Sequence, residues 1–376
     1  MTWHITNDLP FGNGTDFDVR ETDGIAEVSF AAEPRNGVET CWFCIRIRRD
    51  DAGTGAKTLR LVLKHGGNML GHVPVENIRP VWRHDGGDWQ RLGAGTFHKL
   101  AHGPWALSWT IDAPQSDGEL AVCYPYGPDE VTQLLAETDG RWQAHTVGVT
   151  AKNNALKRLC NKPGEEPATE PGYYILARQH AGETPGSWVL DGLMRRLAQL
   201  GDDAPLTWVV PLCDTDGVIA GDYGKDSYPW DLNRAWGQNP MRHETLTLQR
   251  DMRLWAVRCE PRFVLDLHAP GMSEGQGVYG FAQTSMDNAA VREATFHWGD
   301  AMQQGLGSYA HDRFNRNMTN HGKWPTWCCS EFAQHVIGVP AMTVEVPYAL
   351  CGDIELTRER YRDMGQRLAD LLAARV

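Results

Sequence analysis

Neither end of the 376-residue chain carries an apolar run long enough to cross a bilayer, so no terminal membrane span is expected. Its first fourteen residues carry Asp8 and no basic cluster ahead of an apolar stretch, so no secretory leader is expected and a cytoplasmic protein is. Basic charge is scarce. Lysine and arginine total 36 against 48 aspartates and glutamates, a net charge of −12 that disfavours nucleic acid and anionic membranes as partners. A disulfide framework is also missing, because the nine cysteines are odd in number and scattered. Cys41 and Cys44 form a CxxC without a second pair at zinc-finger spacing, and they sit in a stretch (40–47) that reads as a strand, so buried thiols are expected there. No internal repeat or low-complexity tract is present. The 41% hydrophobic content is ample for the core of two domains or one large one.

Residues 1–130 contain no helix-length periodic segment. Residues 59–64 and 105–111 read as strands, the latter alternating large apolar with small or polar side chains. Turn signals at 51–53 and 85–88 punctuate the runs. Residues 148–171 are polar, with Glu165 and Glu166 among them, and read as a connecting segment. Beyond residue 173 the pattern changes. Apolar strands are predicted at 173–177, 206–212, 263–267 and 341–346. Helices are predicted over 244–258, 287–304 and 356–374, and where Val189, Leu190, Leu193, Met194, Leu197 and Leu200 repeat at helical spacing. The expectation is an N-terminal antiparallel β-sandwich (1–130) followed by an α/β domain (131–376) with a mixed, mainly parallel sheet flanked by helices.

Three strand ends in that second region carry chemistry. His180 and Glu183 lie on a loop after the 173–177 strand, where open α/β sheets place their sites. Catalytic zinc takes three ligands of this kind and keeps one open position. The plainer alternative is a helix start, with Thr184 as cap and Pro185 in the first turn. His268 ends the 263–267 strand and faces the same crevice; a satisfied core histidine is the alternative. Glu345 puts a carboxylate inside an apolar strand, where an unpaired charge is costly, and burial there raises its pKa toward a value useful for acid/base work. Between these strands, Arg234 offers a fork for a carboxylate, Asn233 a neutral donor, and Asp231 an acceptor for the non-metal nitrogen of a ligand histidine. A loop salt bridge and a turn would explain the same residues.

Taken in order, these segments resemble the zinc metallocarboxypeptidases, specifically the cytosolic carboxypeptidase subfamily. The motifs are His180-Ala-Gly-Glu183-Thr, Asp216-Gly-Val-Ile with Asp231-Leu-Asn-Arg234-Ala-Trp, Asp266-Leu-His268 and Thr343-Val-Glu345. Arg79-Pro-Val-Trp-Arg-His-Asp-Gly-Gly-Asp-Trp89 and Tyr124-Pro-Tyr126 resemble the β-sandwich that precedes the catalytic domain in that subfamily. The resemblance implies one Zn2+ per chain on His180, Glu183 and His268, with Asp231 orienting His180. It implies Asn233 and Arg234 gripping a peptide's terminal carboxylate, and Glu345 moving the proton of a zinc-activated water to the leaving amine. Two departures stand out. The position of the family's oxyanion arginine is Gly224 here, with Lys225 beside it as a substitute lacking the fork geometry. The basic residue that marks glutamate-trimming members is replaced by Cys328-Cys329-Ser330, with Arg316 and Lys323 further upstream, so the resemblance does not extend to glutamate preference. Residues 315–327, with Asn320, His321, Gly322 and Trp324, suggest a substrate lid. A zinc amidohydrolase or esterase acting on acylated amino acids or modified peptides is the second reading, and a non-catalytic binding protein the third.

Overall fold

The computed structural model describes residues 3–35, 37, 39–50, 55–66, 75–99, 105–164, 167, 169–237, 239–283, 288–318 and 326–374. The turn expected at 51–53, the acids Glu165 and Glu166, the first residue of the helix expected from 287, and Asn320, His321, Gly322, Lys323 and Trp324 of the suggested lid lie outside them.

Residues 3–121 build two five-stranded sheets. One runs Trp3–Thr6, Cys44–Arg49, Asp117–Ala121, Val81–His84, Gln90–Arg91, antiparallel throughout. The other runs Thr15–Thr22, Ile25–Ala31, Thr58–Leu63, Ala106–Asp112, Thr96–His98. Its pair Ile25–Ala31 and Thr58–Leu63 is parallel, which departs from the antiparallel expectation. The cause is topological: a parallel pair needs a crossover, and between these strands the chain visits the first sheet at Cys44–Arg49. Alternation decides which side chains go inside. Ala26, Val28 and Phe30 are buried along one strand and Leu59, Leu61 and Leu63 along its neighbour. Phe30 meets Phe43 edge to face at 5.1 Å. Cys41 and Cys44 are buried and outside any disulfide, as are the other seven cysteines.

The chain then forms the helix Pro128–Glu137 and an eight-stranded sheet. Its order is Gln143–Val149, Ala155–Cys160, Leu206–Val210, Pro171–Ala177, Glu260–His268, Ala341–Glu345, Val278–Gln283, Ala310–Met318. The four central strands are parallel; antiparallel contacts join them to the strands on either side. The stretch expected as a mere connection thus holds the strand Ala155–Cys160, whose charged Lys157 and Arg158 mask its period of two.

Helices cover both faces, which is why the central strands read as continuous apolar runs. Tyr173, Ile175 and Ala177 join a core with residues of the helices Thr184–Leu200, Ala289–Leu306 and Arg358–Ala374. Tyr174 and Leu176, on the opposite face, pack with Leu248, Met252 and Trp255 of the helix His243–Arg258. The first core continues without interruption into the two front sheets.

Candidate metal centre

Register along the parallel strands brings the chemistry to one edge. His268 is the cross-strand partner of Glu345, and Ala177, after which the His180 loop begins, is the partner of Leu267. The loop is pinned from inside by Arg178, a fully buried arginine at φ +63°. Its guanidinium donates to the carbonyls of Ala181 and Tyr126, the latter at 2.7 Å, and to Ser187 Oγ at 3.3 Å. Burial pulls its pKa down to about 10.

The helix expected as the plainer alternative does begin here, but its cap differs. Glu183 occupies the N-cap position without capping through its side chain, and Thr184 lies inside Thr184–Leu200 with a buried hydroxyl that has no partner among the described residues. Glu183 is instead turned to the histidines. Its Oε1 lies 2.8 Å from His180 Nδ1 and its Oε2 2.8 Å from His268 Nδ1, and the two Nδ1 atoms are 3.2 Å apart. All three residues are buried, and their ligand atoms lie within 4.8 Å of one another.

The remaining ring nitrogens are occupied. His180 Nε2 meets Asp231 Oδ1 at 3.2 Å, and His268 Nε2 meets Asp266 Oδ2 at 3.1 Å. Each carboxylate stands on the Nε2 side of its ring and leaves the Nδ1 side facing the common centre. Asp231 is itself fixed by the backbone N–H groups of Asp226 and Asn233. Burial pulls the His180 pKa down, yet Glu183 and Asp231 push it up to about 9, so the pocket holds an excess of negative charge about its centre. For Glu183 burial acts upward and the two histidines outweigh it, holding the carboxyl well below the usual range. Two imidazoles and a carboxylate separated by 2.8–3.2 Å match the ~3.3 Å edge of a tetrahedron with ~2.0–2.1 Å bonds, so the donor set fits a divalent ion.

Glu345 is partly exposed at its strand end, with an Oε2 shielded from water and without a partner among the described residues. Burial raises its pKa to about 7 against the pull of His268, with Glu183 adding and Lys225 opposing. Arg234 donates to the Asn233 carbonyl at 2.8 Å and has no carboxylate within ion-pair distance among the described residues. Asn233 is placed differently from Arg234. It is buried, its Oδ1 accepts from Cys329 N at 2.9 Å and Gln179 Nε2 at 3.2 Å, and its Nδ2 lies 3.0 Å from His268 Nε2. Lys225 is drawn away into an ion pair with Glu39 of the front region, 3.3 Å apart, while within electrostatic reach of Glu183 and Glu345. Gly224 has φ +91°, and a Cβ there would fall 2.6 Å from Ala181 N, so this loop lies against the backbone of the turn from His180 to Glu183.

Two supporting residues had no assigned role in the sequence reading. Asp266 showed the signal that singled out Glu345, a charge inside an apolar strand. Gln179 showed none: it is wholly buried, donates to Asp266 Oδ2 at 2.7 Å and accepts from Trp236 Nε1 at 2.7 Å.

No family model matches the sequence. Cytosolic carboxypeptidase 1 of Mus musculus is 25% identical over 263 residues, 60% of this chain and 20% of that protein. Cytosolic carboxypeptidase 2 of Danio rerio is 25% identical over 295 residues, 68% of this chain and 40% of that protein. The chain therefore spans less than half the length of either relative. Among solved structures, the metallo-carboxypeptidase from Burkholderia cenocepacia superposes with a TM-score of 0.76 at 20% identity, covering 100% of this chain and 98% of that one. The metallo-carboxypeptidase from Pseudomonas aeruginosa in complex with (2-guanidinoethylmercapto)succinic acid gives 0.77 at 19% identity, covering 99% and 98%. The chain thus has the metallo-carboxypeptidase fold over its whole described length, and its sequence relatives are cytosolic carboxypeptidases.

Proposed function

We propose that the chain is a zinc-dependent carboxypeptidase, which removes the C-terminal residue of a peptide or protein in the cytoplasm. The observation that carries this reading is the convergence of His180, Glu183 and His268 beside Glu345, whose pKa lies near neutrality. When bound, one zinc ion per chain supplies Lewis acidity toward the scissile carbonyl and lowers the pKa of a coordinated water to about 7. Glu345 takes the proton from the attacking water and passes it to the leaving amine, a double role that a carboxyl titrating near pH 7 suits. Arg234 receives the substrate's terminal carboxylate, since its guanidinium lacks an acidic partner among the described residues, and the Asn233 amide nitrogen supports it. Asp231 orients His180. In this reading residues 1–130 are a β-sandwich domain and 131–376 the catalytic domain.

One observation favours a second reading, a zinc amidohydrolase or esterase acting on acylated amino acids or modified peptides. An arginine at position 224 would clash with Ala181, so the oxyanion donor of a peptidase has no room there, and Lys225 is engaged by Glu39. The test is metal content together with hydrolysis of a mixed peptide library by wild type and Glu345→Gln. We expect one zinc per chain in both proteins, single C-terminal residues released by the wild type, and turnover lower by about 100- to 10,000-fold in the variant. Zinc without peptide cleavage moves the assignment to the second reading; unchanged hydrolysis by Glu345→Gln overturns the mechanism.

A further inference from the structure

A cavity of about 400 Å³ opens between the helix His243–Arg258 and the strands Ala155–Cys160 and Leu206–Val210. It shares no lining residue with the metal centre. We propose that it is a second ligand site, one that takes a small monocarboxylate with a flat apolar body and no ammonium group. This inference stands apart from the proposed function.

Charge is the first argument. In a chain of net charge −12, the titratable nitrogen groups on the wall are His145, Arg158 and Arg258, and no described lining residue is acidic. The second is unmet hydrogen bonding. Arg258 is 9% exposed, donates from Nε to the Gly164 carbonyl at 2.9 Å, and has an Nη1 with no partner among the described residues. Trp208 is 6% exposed, and among the described residues its Nε1 has only the Cys160 thiol, a weak acceptor, beside it. Buried donors without acceptors are rare because each forfeits its hydration, and a bound carboxylate answers both need and charge.

Arg158 shows the contrast. Its guanidinium sits 3.5 Å from the centroid of the Trp208 ring and its Nε 3.5 Å from Asp251 Oδ1, so its charge is matched by a buried acid that is not part of the wall, although that Nε has no hydrogen-bond partner among the described residues. Arg258 is therefore the cation left for a ligand. The mouth is apolar: Leu254 and Val257, one helical turn apart, are 51% and 69% exposed. Together these features select an anion at one end and a hydrophobic body at the other. A free amino acid fits poorly, because no described lining residue offers a carboxylate to receive its ammonium.

The test is calorimetric titration with three probes of one skeleton: 3-phenylpropionate, L-phenylalanine and 3-phenyl-1-propanol. Arg234 could itself hold a carboxylate, so the titrations use Arg234→Ala as background. We expect 3-phenylpropionate to bind that protein about tenfold or more tightly than either other probe. Arg258→Met should weaken it by about tenfold or more. Leu254→Asp, on the exposed helix face where folding is not at risk, should do the same and carries the test if Arg258→Met is unstable. Equal binding of acid and alcohol overturns the proposal. So does binding that persists in Arg258→Met and Leu254→Asp, or that disappears in Arg234→Ala alone.

Discussion

An imidazole can give a metal only one nitrogen, so whatever holds the other nitrogen decides whether the lone pair faces the right way. In this molecule the carboxylates of Asp231 and Asp266 lie against that other nitrogen of His180 and His268, at 3.2 and 3.1 Å. Asp266 has the harder task. It lies wholly buried in the strand Glu260–His268, and its Oδ2 is shared by His268, Gln179 and, at 3.5 Å, Thr343, while its Oδ1 has no partner among the described residues. Asp266→Ala should lower zinc affinity by about 10- to 100-fold, and Asp266→Asn, which keeps an acceptor, by less. Competition against a chromophoric chelator reads this directly, without substrate. Equal affinity in all three proteins would mean that His268 is oriented by packing alone. Gln179→Leu tests the next link, since it removes the donor that fixes Asp266 and also the acceptor of Trp236.

At the scale of elements, the site depends on how closely two helices approach. Thr184–Leu200 carries Glu183 at its N-terminus and packs along Arg358–Ala374 through glycines on both sides. A Cβ on Gly365 would lie 2.0 Å from the Val189 carbonyl, and one on Gly192 2.2 Å from that of Arg362. Gly365→Ala should therefore destabilise by at least about 1–3 kcal/mol, as overpacking does, and urea denaturation measures it. The short helix Thr215–Ala220 offers a pH experiment. Its cap, Asp214, accepts from Gly217 N and is buried, which raises its pKa to about 6 against the pull of Arg242. The unfolded value is near 3.9, so the folded state binds the proton more tightly, and this group's contribution to stability falls as pH rises from about 4 to about 6. The stability of Asp214→Asn relative to wild type should rise across that window by up to about 3 kcal/mol and level off above it. Legibility followed the same physics. Strand ends carrying His180, His268 and Glu345 could be read because a polar group closing an apolar run is costly to bury unless a partner or an ion compensates it. Ala155–Cys160 could not, because Lys157 and Arg158 interrupt its period, and neither could the roles of Gln179 and Glu39, which depend on partners 87 and 186 positions away that local pattern does not show.

Across the whole molecule, the front region supplies parts of the site. Tyr126 gives its carbonyl to Arg178, the residue that pins the His180 loop, at 2.7 Å. Glu39 pairs with Lys225, and Trp42 and Tyr223 leave no space beside Gly182, where a Cβ would lie 2.9 Å from each. Asn13 donates to the Gly221 carbonyl at 2.9 Å, and Arg35 reaches both Gly12 and the Ala220 carbonyl, tying the loop that ends at Gly224 to the first sheets. One continuous core joins the two regions, with Phe43, Leu120 and Tyr126 in the same cluster as Leu193 and Tyr361. Cutting the chain at the expected boundary would strip those contacts at once. Residues 131–376 expressed alone should thus expose the apolar face that Trp42 and Tyr126 cover, bind the dye 8-anilinonaphthalene-1-sulfonate, lose a cooperative thermal transition, and hold zinc at least about tenfold more weakly than the whole chain. Circular dichroism melting and chelator competition on the fragment check each point. A fragment that melts cooperatively and keeps the zinc affinity of the full chain would show that the front sheets serve recognition rather than assembly of the centre, and attention would turn to their exposed surface.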